Sequence, residues 1–142
     1  MIAQVRVGLR ALALIAALIA PLPAAAHHSF AMYDTAEVIT LPGTVQEFQW
    51  TNPHAILWVL GSAHAGDPPE QWTIELPTSP GNLSRLGWTK HSLSPGDQVI
   101  LEFNPLRDGK RGGSFRKITV VATGKTYLVN LRDQPKLEAE TK

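Results

Sequence analysis

The stretch QWTIELPTSPGNLSRLG, residues 71–87, places a short strand directly before a short helix. The apolar side chains of Trp72, Ile74 and Leu76 alternate with polar ones, which is the period of a strand with one buried face. Ser79 is a favoured N-cap residue, and the proline that follows it suits the first helical position. The stretch therefore predicts the third strand of a domain, followed by a helix of about two turns.

The remainder of the chain consists of strand-like segments separated by turns. The order is three strands, the short helix and two or three further strands, which is the order of an OB barrel. We therefore predict an all-β fold, a small OB-like barrel of five to six strands with one short helix between the third and fourth strands. A small β-sandwich is the alternative. The predicted strands cover residues 38–50 (bent near Pro42-Gly43), 54–60, 71–76, 98–103, 114–121 and 126–131.

Composition limits what the domain can do. The chain has 142 residues and no cysteine, which excludes a disulfide framework, a thiolate metal site and a cysteine nucleophile. It carries 13 basic and 12 acidic residues, and removal of Arg6 and Arg10 with a leader leaves 11 against 12, a net charge of −1. The charge balance predicts no nucleic-acid partner, because such proteins usually carry a basic face.

The first 26 residues have the pattern of a secretory signal peptide. Arg6 and Arg10 precede an apolar run over residues 11–20, and Ala24-Ala25-Ala26 offers the small residues that signal peptidase requires. The apolar run is about half the ~20 residues of a membrane-spanning helix, so we expect cleavage and no stable membrane insertion. The predicted location is the periplasm.

This leader defines the predicted domain organisation. Residues 1–26 are the signal peptide, residues 27–131 form a single β-barrel domain, and residues 132–142 form a polar, flexible C-terminal tail.

Cleavage after Ala26 would give the mature chain an amino-terminal histidine, His27, followed by His28. The α-amine and ring Nδ1 of such a histidine can bind one metal ion together, and nitrogen donors suit copper(II). His54 begins the second predicted strand, where it can approach the start of the first. The metal-site hypothesis therefore names His27, His28 and His54 as copper ligands. In the alternative interpretation, the first two are an unstructured end and His54 is a turn residue.

Six short motifs follow one another along nearly the whole mature chain. They resemble those of an uncharacterised family of exported bacterial proteins, the domain of unknown function 6152. The resemblance implies an exported β domain and implies no established reaction. The motifs are His27-His28-Ser29-Phe30, Gly43-Thr44-Val45, Asn52-Pro53-His54, Trp72-Thr73-Ile74-Glu75, Leu86-Gly87-Trp88 and Pro95-Gly96-Asp97.

No sequence pattern indicates an enzyme. The acidic residues, Glu75 among them, are scattered without a spacing that pairs them, and nucleophile-elbow, zinc-protease and phosphate-loop motifs are absent. We therefore expect a periplasmic binding or accessory module that binds copper. The alternative is a metal-free interaction protein that supports a larger exported enzyme or envelope complex through an unknown periplasmic partner. Trp58 and Trp72 are predicted in the core, and Trp88 is predicted exposed, where an interface is most expected.

Overall fold

The computed structural model describes residues 30–129. The predicted signal peptide, His27, His28 and the predicted C-terminal tail lie outside these residues. Within them, a 3₁₀ turn at Phe30–Met32 is followed by six strands and one α-helix. The elements are β1 (Ile39–Gln49), β2 (Ile56–Gly61), β3 (Glu70–Glu75), α1 (Pro80–Arg85), β4 (Gln98–Pro105), β5 (Gly112–Val120) and β6 (Thr126–Leu128).

The first five strands form a closed barrel. Antiparallel pairing gives the sheet order β3-β2-β1-β4-β5-β6. A parallel pairing of Thr73, Ile74 and Glu75 with the first three residues of β5 joins the two ends of the five-stranded sheet. The short β6 adds to β5 outside this closure. The OB-like barrel with its helix between β3 and β4 is thus confirmed, and the alternative β-sandwich is wrong because the sheet closes on itself.

The irregularity in the long first strand lies a few residues after Pro42-Gly43, near which the bend is predicted. Pairing of β1 with β4 runs unbroken through Pro42 and Gly43, and the register shift lies between Val45 and Glu47. The extra residue allows Val45 to be buried and Phe48 to pack against the core, although they lie three positions apart, an offset that places side chains on opposite faces of a regular strand. Glycine is required at Gly43 because a Cβ there would lie 2.6 Å from Val59 Cγ1.

The helix begins and ends where its capping residues predict. Ser79 has extended backbone angles and its hydroxyl accepts a hydrogen bond from the backbone N–H of Asn82, while Pro80 occupies the first turn. Gly87 follows the C-cap with φ of +86°, a left-handed conformation that favours glycine. The helix buries Leu83 completely and leads the chain from β3 to the segment before β4.

The tryptophans depart from the sequence predictions in two cases. Trp88 is 1% exposed, lies in contact with the rings of Phe48, Phe115 and Tyr127, and donates its indole N–H to the Leu128 carbonyl oxygen over 2.8 Å. Its predicted exposure is therefore wrong, because contacts distant in sequence bury a residue that lies in no strand or helix. Trp58 was predicted in the core, but it lies on the outer face of β2.

Trp72 does face the interior, as its alternation with Ile74 predicts. Its ring lies 5.3 Å from that of Phe103, and its indole N–H donates to the Gly61 carbonyl oxygen over 3.3 Å. Between residues 30 and 129, no helix has the length and apolar character needed to cross a membrane.

We expect Trp88→Phe to lower the free energy of unfolding by about 2 kcal/mol, because it removes buried ring contacts and leaves the Leu128 carbonyl without its donor. Trp58→Phe is the matched control at an outward-facing tryptophan, and it should change stability by less than about 0.5 kcal/mol. Urea unfolding of the three proteins measures both effects. Equal losses for the two variants would contradict the buried position of Trp88.

Candidate functional site

His54 is held at one end of the barrel by the backbone around it. It follows a cis Asn52-Pro53 peptide bond and lies two residues before β2. The next residue, Ala55, is fully buried, and its carbonyl oxygen accepts a hydrogen bond from the Leu76 N–H over 3.0 Å. This bond attaches the segment of His54 to the end of β3.

Glu75 contacts His54 from the neighbouring strand. It is the last residue of β3 and is paired across the sheet with Ile56, two residues after His54. Because its neighbours Ile74 and Leu76 are buried, Glu75 projects from the outer face. Carboxylate Oε1 of Glu75 is hydrogen-bonded to Nδ1 of the His54 ring. The two side chains are 23% and 30% exposed, respectively, so a ligand can reach the pair from solvent.

Tyr33 completes a chain of three hydrogen-bonded side chains. Its hydroxyl donates to the second carboxylate oxygen of Glu75 over 2.8 Å. Backbone hydrogen bonds fix the Tyr33 segment on both sides, from the Arg107 N–H to the Met32 carbonyl oxygen over 2.9 Å and from the Asp34 N–H to the Pro105 carbonyl oxygen over 2.8 Å. Tyr33 is 7% exposed, so the amino-terminal segment is attached to the barrel beside the histidine–glutamate pair.

The surroundings of Tyr33 keep its phenol protonated. Burial raises the pKa of Tyr33 well above its ordinary value, and both the hydrogen bond to Glu75 and the negative charge of that carboxylate raise it further. Tyr33 is therefore a hydrogen-bond donor to Glu75 at neutral pH. With the phenol donating to one oxygen, the other oxygen of the carboxylate is oriented toward His54.

The hydrogen bond that Glu75 accepts from His54 determines which ring nitrogen carries the proton. A carboxylate accepts, so in the neutral ring the proton lies on Nδ1 and the lone pair lies on Nε2. A carboxylate that bonds one ring nitrogen while the other binds a metal ion is the usual arrangement around metal-bound histidines. The same arrangement also makes Nε2 a proton acceptor. The hydrogen-bonded set of His54, Glu75 and Tyr33 is here called the His–Glu–Tyr site.

Only one predicted metal ligand lies in the part of the chain that the structure describes. His54 belongs to the His–Glu–Tyr site, whereas His27 and His28 lie outside the described residues. Across residues 30–129, no three histidine or acidic side chains gather as a metal-binding group. His64 lies in the loop after β2 and His91 in the loop after α1, and both are exposed. Neither is part of the His–Glu–Tyr site.

Sequence reasoning found His54 and missed its two partners. Glu75 was one of several scattered acids, and its contact with His54 depends on the register between β2 and β3. One pattern in the sequence could have indicated Glu75. If β2 and β3 form a hairpin, the last residue of β3 lies beside the first residue of β2, close to His54. Tyr33 gave no such signal, since its contact spans 42 residues of sequence.

The comparisons with known proteins identify a family and leave the function open. A model of a family of unknown function, DUF6152, matches residues 15–116. No curated protein matches the chain. The chain is similar to a crystal structure of the mitochondrial single-stranded DNA binding protein Rim1 from S. cerevisiae, with 10% identity, a TM-score of 0.44 and coverage of 60% of this chain and 93% of that chain. A likeness at that TM-score supports no conclusion about ligands.

We expect the buried phenol to make stability fall as the pH rises above 10. Tyr33 ionises near its ordinary pKa of 10.0 in the unfolded chain, while its folded-state pKa is raised. Its contribution is therefore fully present below pH 10 and is lost as the pH rises toward the folded pKa, by at most roughly 1.4 kcal/mol per pH unit. Tyr33→Phe should show a shallower alkaline loss in urea unfolding. Equal slopes in the two proteins would contradict this role.

Proposed function

The chain belongs to the DUF6152 family of unknown function, and from its barrel and its His–Glu–Tyr site we propose that it is an exported periplasmic module that binds copper(II). The ligands are Nε2 of His54 and nitrogen donors from His27 and His28. The function is copper delivery or sensing, in which the protein holds the ion and catalyses no reaction. The observation that carries the proposal is the hydrogen bond between Glu75 and Nδ1 of His54, because a carboxylate on one ring nitrogen is common where the other nitrogen binds a metal.

The length of the amino-terminal segment supports this ligand set. Tyr33 contacts Glu75 directly, and His27 precedes Tyr33 by six residues. Phe30–Met32 form a 3₁₀ turn, and the three residues before it can extend by up to about 10 Å, so a mature chain that begins at His27 can bring its first residues toward the His–Glu–Tyr site. Export and cleavage after Ala26 are part of the proposal, because cleavage there creates the α-amine that makes His27 a chelating residue.

The donor chemistry favours copper over zinc. The proposed ligands are imidazole and amine nitrogens, a set that suits copper(II), and the chain has no cysteine to supply the thiolates of common structural zinc sites. Glu75 acts as the hydrogen-bond partner of the ligand and not as a ligand. It orients the ring and holds the ring proton on Nδ1.

We expect the mature protein that begins at His27 to bind one equivalent of copper(II), and His54→Ala to weaken that binding strongly. Glu75→Gln should weaken it by about 10- to 100-fold, as for other partners of metal-bound histidines. His64→Ala and His91→Ala are the controls, and neither should change the affinity. Calorimetric competition against a copper chelator measures these affinities, and intact mass of the exported protein locates its first residue.

Two results would contradict the copper proposal. One is copper binding that is no tighter in the protein beginning at His27 than in a version beginning at Ser29. The other is an affinity that His54→Ala leaves unchanged.

A second candidate function is metal-free contact with a periplasmic protein partner. Exposed apolar side chains away from the His–Glu–Tyr site favour it, namely Val38 at 46%, Ile100 at 36% and Val121 at 55% exposure. Complementation of a deletion strain separates the two functions. Contact through Ile100 predicts that Ile100→Glu fails to complement while His54→Ala succeeds, and the reverse result would support copper binding instead.

A further inference from the structure

The outer face of β2 carries a row of apolar side chains that the barrel core does not use. Residues alternate along Ile56–Gly61, so Leu57 and Val59 are fully buried while Ile56 and Trp58 are half-buried and Leu60 is 38% exposed on the opposite face. Neither Ile56 nor Trp58 is among the side chains packed against the core. Ile56, Trp58 and Leu60 are here called the β2 ridge.

The indole N–H of Trp58 differs from those of Trp72 and Trp88. Trp72 and Trp88 donate to backbone carbonyl oxygens, whereas no hydrogen bond within residues 30–129 uses the Trp58 N–H. Every buried polar side-chain atom among the described residues has a hydrogen-bond partner. The Trp58 N–H has none among these residues and is therefore not buried. The half-buried Trp58 side chain therefore has an indole N–H that is open to a ligand on the outer face of β2.

Polar side chains flank the ridge on both sides. On β1, Glu47 pairs with Trp58 and Gln49 pairs with Ile56. On β3, Thr73 pairs with Trp58 and Gln71 pairs with Leu60. Cross-strand partners lie about 5 Å apart on the same face, so amide, carboxylate and hydroxyl groups border the aromatic ring.

We propose that the β2 ridge binds an uncharged, ribbon-like oligosaccharide, with a sugar ring stacked on Trp58. The C–H face of a pyranose ring is apolar and its rim carries hydroxyl groups. The apolar ridge matches the former, and the flanking carboxylate, amide and hydroxyl groups match the latter as hydrogen-bond acceptors and donors. The three outward residues follow one another along a single strand, which suits an extended β-1,4-linked chain.

The charge of the three strands opposes a nucleic acid. β1, β2 and β3 contain no lysine or arginine, whereas Glu47 and Glu75 lie on either side of the ridge. A polyanion would meet negative charge on both sides and no lysine or arginine on these three strands. A neutral ligand avoids this repulsion.

The size of the ridge opposes a stable protein complex. It extends roughly 14 Å along β2 and about 10 Å across to the flanking strands. The area of the ridge is therefore far smaller than the surface of about 800 Å² that each partner buries in a stable protein interface. A carbohydrate chain needs only a few stacked rings and their hydroxyl contacts.

The test titrates the mature protein with cellohexaose, xylohexaose and chitohexaose by isothermal calorimetry. We expect at least one of them to bind, and Trp58→Ala to weaken that binding by about tenfold, in keeping with the loss of one aromatic contact. Ile100→Ala, an exposed apolar residue on the outer face of β4, is the matched control and should leave the affinity unchanged. Circular dichroism and urea unfolding establish that each variant is folded.

Each other outcome overturns the proposal. Absence of binding by all three hexaoses does so, as does binding that Trp58→Ala leaves unchanged in a folded protein. If only the binding of an oligothymidylate, or only self-association of the protein, depended on Trp58, the ridge would belong to another class of partner. Copper is omitted from these titrations, so their result is independent of the copper proposal.

Discussion

The parallel contact between β3 and β5 is the constraint on which the rest of the molecule depends. It joins Thr73, Ile74 and Glu75 to Gly112, Gly113 and Ser114, and it turns an open sheet into a barrel. The first two residues of β5 have no side chains, and each allows a close approach to a different strand. A Cβ on Gly112 would lie 3.0 Å from the Thr73 carbonyl oxygen of β3, whereas one on Gly113 would lie 2.4 Å from the Asn104 carbonyl oxygen of β4. Gly112 therefore favours the closure, and Gly113 favours the neighbouring antiparallel pairing.

The same closure builds the candidate site. Glu75 is the last residue of β3 and belongs to the paired segment, so its position is fixed from both β2 and β5. Tyr33 reaches it because the amino-terminal segment lies along the chain that connects β4 to β5, where Tyr33 forms a bridge with Leu106. The histidine, the carboxylate and the phenol thus come from three distant parts of the sequence. Their meeting is a product of the barrel and of no local motif.

The sequence was sufficient for the order of elements and insufficient for the faces of β2 and for the site. Strand and helix positions follow from alternation, capping and turn residues, as at Ser79 and Gly87. The run from Ile56 to Leu60 has no polar member, so alternation cannot say which side is buried, and Trp58 was assigned to the wrong one. His54 was recognisable because histidines are few, whereas Glu75 required the register of a hairpin whose loop gives no measure of it.

The indole of Trp88 has a consequence for association between chains. β6 is three residues long and pairs on one side with β5, so its other edge presents backbone groups that an added strand could use. Trp88 occupies one of them by donating to the Leu128 carbonyl oxygen. A bulky ring at the end of so short a strand obstructs the continuous ladder that strand addition requires. Within the described residues, the buried ring of Trp88 thereby also occupies a backbone acceptor at this edge of the sheet.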